Sequence, residues 1–195
     1  MRRLAAGLTA LTAWAALALQ FGLTVRLMAG AGLAAAIWRY LGFFTILTNL
    51  GVAVVASAMV LNAAWAGARV RLATAASISF VGIVYSVALR ATWSPTGWQA
   101  VADHALHDAT PVLFLIAWAL SEHGGLKWRD ALWAMAPPAA YCAYAVVRGA
   151  ADRWSAYCFL DPSKLSALQM TGSIAALLAA FVVVAVLLIA ADRWL

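Results

Sequence analysis

Thr45 and His107 are the two residues whose types best suit chemistry in this sequence. A threonine hydroxyl becomes a nucleophile when a base lies within hydrogen-bond reach, and an imidazole held by a third group is such a base. Asp103 or Asp108 is placed to orient that imidazole. Trp38, Gly42, Thr45 and Asn49 recur at helical spacing and share one face, with Arg39 at its mouth and Thr48 beside it. His104 and His107 stand one turn apart. Other polar residues fall at matching ends of apolar runs: Ser86 and Arg90, then Tyr141, Tyr144 and Arg148, then Gln169 and Ser173, with Asp161 just before them. Polar residues in an apolar stretch are costly, so a cluster of them at one level is a site hypothesis. Arg39, Arg90, Arg148 and Asn49 would stabilise an oxyanion or hold a lipid carboxylate there.

The same residues have plainer readings. Thr45 and Thr48 can bond back to carbonyls one turn earlier, and Asn49 can join two helices. The arginines can reach out to phosphates, and the histidines can sit at headgroup level. His104-x-x-His107 with Asp103 and Asp108 also offers two or three metal ligands. Against a metal, no other apolar run carries a His, Glu or Asp in its interior, and haem between two helices is disfavoured because both histidines lie on one. Transport is a weak reading, because Asn49 alone stands near a midplane.

These residues need a scaffold, and composition defines it. Of 195 residues, 66% are hydrophobic and 10% charged, where a soluble domain has roughly 45–50% and about 25%. Lipid is therefore the expected solvent. Runs long enough for a bilayer core of about 30 Å cover residues 4–27, 41–65, 72–89, 101–120, 131–147 and 165–191. The expectation is an all-α integral membrane bundle of six transmembrane helices, one domain over residues 1–195, packed up and down. Pro137-Pro138 interrupts the fifth run and should kink it against protein. Residues 4–27 also fit a signal peptide, but their length, Gln20 and Arg26 favour a retained helix.

The net charge of +6 is dispersed over the ends of apolar runs, as for residues meeting headgroups rather than nucleic acid. With the N-terminus cytoplasmic, Arg2, Arg3, Arg69, Arg71, Lys127, Arg129 and Arg193 lie inside. Arg26, Arg39, Arg90, Arg148, Arg153 and Lys164 then lie outside, a margin of seven to six. That orientation, in a bacterial inner membrane, puts the polar cluster at the outer face. Trp65, Trp128, Trp133 and Trp194 then form an inner aromatic belt, and Trp38, Trp93, Trp98 and Trp154 an outer one. Cys142 and Cys158 are too few for a disulfide framework and are read as unpaired.

Three segments carry a family resemblance: Trp38-Arg39-Tyr40-Leu41-Gly42-Phe43-Phe44-Thr45-Ile46-Leu47-Thr48-Asn49, Asp103-His104-Ala105-Leu106-His107-Asp108, and Tyr157-Cys158-Phe159-Leu160-Asp161. With their order and spacing, the chain resembles six-helix prokaryotic membrane proteins related to the eukaryotic androgen-induced membrane hydrolases. Those eukaryotic enzymes are threonine hydrolases of fatty-acid esters of hydroxy fatty acids, with one Thr on the second helix and one His on the fourth. By resemblance the catalytic histidine is His107. A gapless match places the eukaryotic threonine opposite Gly42, so Thr45, one turn deeper, is the candidate replacement. Alternatively this branch keeps the fold and pocket and binds a lipid or small molecule without turnover. The implied partners are membrane lipids and a fatty acyl substrate, with no cofactor or metal; the metal-dependent reading on His104 and His107 is the third alternative.

Overall fold

The computed structural model describes residues 1–195 and contains helices and no strands. The helices are α1 (Arg2–Leu27), α2 (Leu33–Tyr40), α3 (Phe44–Val60), α4 (Ala68–Val84), α5 (Gly97–His104), α6 (Thr110–Ala119), α7 (Asp130–Ala134), α8 (Ala136–Asp152) and α9 (Ala167–Asp192). Wide π turns extend α4 over Tyr85–Leu89 and join α5 to α6 over Ala105–Ala109. Three helical runs are long and apolar enough to cross a membrane: Arg2–Leu27, Ala68–Thr92 and Ala167–Asp192. The pair α2 and α3, bent by 83°, is a fourth if it counts as one broken span.

The run expected over residues 41–65 is therefore not one helix. Gly42 carries a high conformational cost in a helix, and Phe43 is extended at φ −99° and ψ 131°. The break frees two carbonyls, which are capped from α8. Tyr141 donates to the oxygen of Gly42 at 2.9 Å, and Tyr144 to that of Leu41 at 3.2 Å. Helix α3 then ends at Val60, and Trp65 lies in the turn that follows. The shared face expected for Trp38, Gly42, Thr45 and Asn49 is also corrected: Trp38 belongs to α2, Gly42 to the bend, and only Thr45 and Asn49 to one face of α3.

Two further runs depart from a single regular helix. Residues 97–119 form a continuous rod through the π turn, whose cause is local. Pro111 has no N–H for the carbonyl of His107, and its ring crowds that oxygen, so the helix widens. Over 130–152 the prolines do not kink a long helix. The break falls at Met135, and Pro137 and Pro138 occupy the first turn of α8, where a missing N–H costs nothing.

Packing rests on small residues. Ala6, Thr9, Ala13 and Ala16 form a fully or nearly fully buried stripe on α1 that meets Val52, Ala53 and Ala56 of α3. Such stripes let helix backbones approach closely. On the other side, Leu72, Ala76 and Phe80 of α4 meet Phe181, Ala185 and Ile189 of α9, with Phe80 and Phe181 edge to face at 5.6 Å. At one end of the bundle Arg2 bonds Asn62 and Glu122, Arg71 bonds the Glu122 carbonyl, and His123 pairs with Asp192. Thr45, Tyr85 and His107 lie towards the other.

Candidate active site

The helix break sets up the chemistry. Thr9, Thr24, Ser57 and Thr74 each bond the carbonyl four residues back. Thr45, in the first turn of α3, does not, because the carbonyl of Leu41 lies across the bend and accepts from Tyr144. Its hydroxyl is left to other partners. Oγ1 of Thr45 lies 3.3 Å from Nε2 of His107 and 3.4 Å from the hydroxyl of Tyr157.

His107 sits in the widened turn between α5 and α6, only 13% exposed at its side chain. Its Nδ1 faces the backbone oxygen of Asp103 at 3.0 Å and Oδ1 of Asp103 at 3.3 Å. Both are acceptors, so the network assigns the ring proton to Nδ1 and leaves a lone pair on Nε2 towards Thr45. Tyr85 stacks on the imidazole at 4.0 Å and 13° and donates its hydroxyl to Asp103. Thr45, His107 and Asp103 thus stand in the order of a hydroxyl nucleophile, its base and the base's orienting carboxylate. Asn49, fully buried, donates to the carbonyls of Thr45 at 2.8 Å and Leu106 at 3.3 Å. It ties α3 to the His107 turn and has no donor left for an oxyanion, so its expected role there is corrected to positioning. The backbone amides of Phe44 and Thr45, at the uncapped start of α3, face the Tyr157 oxygen.

Two cavities meet at this pair. One is a narrow slot of ≈ 50 Å³, walled by side chains such as Phe80, Val84, Leu160 and Leu177. The other, of ≈ 440 Å³, carries Arg39, Gln20, Gln99 and Thr92 among its walls. Thr45, His107, Tyr85 and Tyr157 line both.

Several expected site residues lie elsewhere. His104 is 65% exposed at its side chain and pairs with Asp108 at 2.7 Å, and Asp108 also binds Arg90. These three form an outer cluster that reaches the site only through Arg90, stacked over Tyr85 at 5.0 Å. Asp103, not Asp108, is the carboxylate in contact with His107. His104 and His107 face different partners, and no three metal-binding side chains converge. Arg148 is 4% exposed, lies 4.2 Å from the Trp38 ring and 4.9 Å from the Trp154 ring, and binds Asp152 at 3.2 Å and Tyr144 at 2.9 Å. It is committed to holding the 153–166 loop over the bend. Arg39 also lies over the Trp154 ring, at 4.3 Å, and lines the wider cavity. Asp161 accepts from the amide and hydroxyl of Ser163 and pairs with Lys164, which makes it a loop brace. Those bonds hold its carboxyl below the usual range. Thr48 faces a third cavity, between α3, α4 and α8.

Residue type alone does not single out Tyr85, which reads as core in its apolar run, or Tyr157, which lies in the loop between α8 and α9. The signal available for both is a hydroxyl that needs a partner when buried. No known protein family, curated protein or solved structure matches the chain.

Proposed function

We propose that the chain is a membrane lipid-ester hydrolase with Thr45 as nucleophile and His107 as general base. The approach of Thr45 Oγ1 to His107 Nε2 at 3.3 Å carries this reading. Oγ1 attacks the acyl carbonyl carbon while Nε2 takes its proton. The imidazolium then gives that proton to the departing alcohol oxygen, leaving an acyl-threonine. Water, deprotonated by His107, cleaves this ester and frees the fatty acid. Asp103 holds the imidazole in the required tautomer and stabilises the imidazolium. In this reading the Tyr157 hydroxyl, 3.4 Å from Oγ1 of Thr45, and the amides of Phe44 and Thr45 supply the donors for charge that develops on the carbonyl oxygen. The two-sided site suits such a substrate: the acyl part on the apolar side, the alcohol part in the wider cavity, with Arg39 for a carboxylate.

In this reading the chain crosses a bacterial inner membrane six times with its N-terminus cytoplasmic, and the site opens outward. Residues 97–119 span about 35 Å at 1.5 Å per residue, and α8, after the break at Met135, about 26 Å. Both carry outward apolar side chains, including Val112, Ile116 and Val147. The resemblance to membrane threonine hydrolases points the same way, with Thr45 in the place of the residue opposite Gly42. A lipid-binding role without turnover is the second reading, favoured by the narrowness of the slot.

The test is ester turnover by detergent-purified protein, using 4-methylumbelliferyl butyrate and a fatty-acid ester of a hydroxy fatty acid. Wild-type turnover that falls on the order of 10²-fold or more in Thr45→Ala and His107→Ala supports hydrolysis. Undiminished cleavage by Thr45→Ala excludes this mechanism. Bound lipid without turnover of any ester leaves the binding role.

A further inference from the structure

A largely apolar groove of ≈ 700 Å³ lies between α3, α4 and α8. Each helix presents one face to it: Leu47 and Gly51 from α3, Ala73 and Ser77 from α4, Ala136 and Ala140 from α8. The spacing of four residues in each pair is that of one helix face. Five of these six residues are small, and a Cβ placed on Gly51 would meet nothing within 4 Å. Helices α3 and α8 are joined at the level of the bend by Tyr141 and Tyr144 and otherwise make little backbone contact. The chain itself does not fill the space.

We infer that this groove is the acyl-chain site of the enzyme and that its depth sets the chain length accepted, an inference that rests on the hydrolase reading. Its continuity with the site argues for this occupant. Phe44 and Tyr141 line both the groove and the slot that contains Thr45 and His107. Their rings, 5.0 Å apart and tilted by 45°, are the partition between the two. Tyr141 is anchored by its bond to the Gly42 carbonyl, so Phe44 is the ring that must turn to let a chain through. The slot alone is too small for a fatty acyl tail, and the groove behind it supplies the missing volume.

Polarity and charge narrow the choice further. Of the wall hydroxyls, Thr74 is spent on the Val70 carbonyl and those of Tyr141 and Tyr144 on the bend, which leaves Thr48 and the unpartnered Ser77 as the free hydroxyls. At the far end Arg69 is held by Asp130 at 2.8 Å, so its charge is already matched and does not call for a lipid phosphate. An unbranched substrate chain entering from the Thr45 side fits this better than a resident phospholipid anchored at the Arg69 end.

Chain-length profiling tests the inference. The full-length protein in detergent is assayed on 4-methylumbelliferyl esters from acetate to palmitate, and the ratio of long-chain to short-chain kcat/KM is read. Ala140→Phe, near the partition, should lower that ratio at least tenfold and cut off chains early. Ala136→Phe, one turn deeper, should accept longer chains than Ala140→Phe before its own cut-off, and Gly51→Leu should block from the opposite wall. Val112→Phe, on an exposed face of α6, should leave the profile unchanged. An unaltered profile in active groove variants overturns the inference, as does an unaltered profile with loss of a co-purifying phospholipid, which assigns the groove to a resident lipid. No turnover of even the acetate ester by wild type refutes the hydrolase reading itself, and the inference with it.

Discussion

The edge of the Trp154 indole lies against the backbone of Gly42. A Cβ built at Gly42 would stand 2.5 Å from Cζ3 of that ring and 2.6 Å from Nη1 of Arg148. The space in front of Gly42 is therefore filled from outside, by Arg148 and by Trp154 of the loop after α8. Arg148 and Arg39 both lie over the same indole, while Asp152 accepts from Trp38 at 2.7 Å. The hydroxyl that faces His107 comes from Thr45 instead.

Gly42→Thr should therefore not create a second nucleophile. It should push Trp154 and Arg148 out of place and lower stability by about 1–3 kcal/mol, the usual cost of overpacking. Thermal unfolding in detergent measures the loss. A stable Gly42→Thr protein with raised esterase activity would contradict the packing described here.

Asp103→Asn tests the orienting carboxylate. The amide cannot stabilise an imidazolium, and its NH₂ group competes for the tautomer that His107 needs. The expected effect is a fall in kcat on the order of 10²–10⁴ with little change in KM. Tyr85→Phe keeps the ring on His107 and removes only the donor to Asp103, so its effect should be smaller. Asp108→Asn, in the outer cluster with His104 and Arg90, should leave kcat within a few fold. Steady-state kinetics on one soluble ester separates the three.

Much of this arrangement is legible in the sequence, and the gaps have physical causes. The runs 4–27 and 165–191 lie within two residues of α1 and α9, because long apolar stretches with polar ends leave little choice of boundary. The bend at Leu41-Gly42-Phe43 is hidden because those residues are as apolar as their neighbours. The groups that stabilise it, Tyr141 and Tyr144, come a hundred residues later. Polarity marked Arg148 and Asp161 as site candidates, but polarity does not name a partner. One is buried between two indoles, and the other bonds its own loop. The 157–161 segment drew attention for Asp161, whereas the side chain that reaches Thr45 is Tyr157. The π turn that carries His107 follows from Pro111, a residue whose effect lies one turn before it.

At the opposite end, the buried carboxyl of Asp130 joins α7 to α4 through Arg69. The amide of Lys127 and the Arg69 guanidinium hold it below the ordinary carboxylate range. A depressed folded value means its stabilising contribution is present above the unfolded pKa of about 3.9 and is lost as pH falls through the folded value. Asp130→Asn should therefore lower the thermal midpoint at pH 7. The gap from wild type should narrow on acidification below about pH 4, which melting curves across that range can record.

The central claim is that His107 activates Thr45, and covalent labelling reads it most directly. Detergent-purified protein is treated with a fluorophosphonate probe, and the modified peptide is mapped by mass spectrometry in wild type, Thr45→Ala, Thr48→Ala and His107→Ala. The expected result is a single adduct on Thr45, retained in Thr48→Ala and lost in His107→Ala. No adduct in folded wild-type protein, or an adduct on Thr45 that persists in His107→Ala, would contradict the claim.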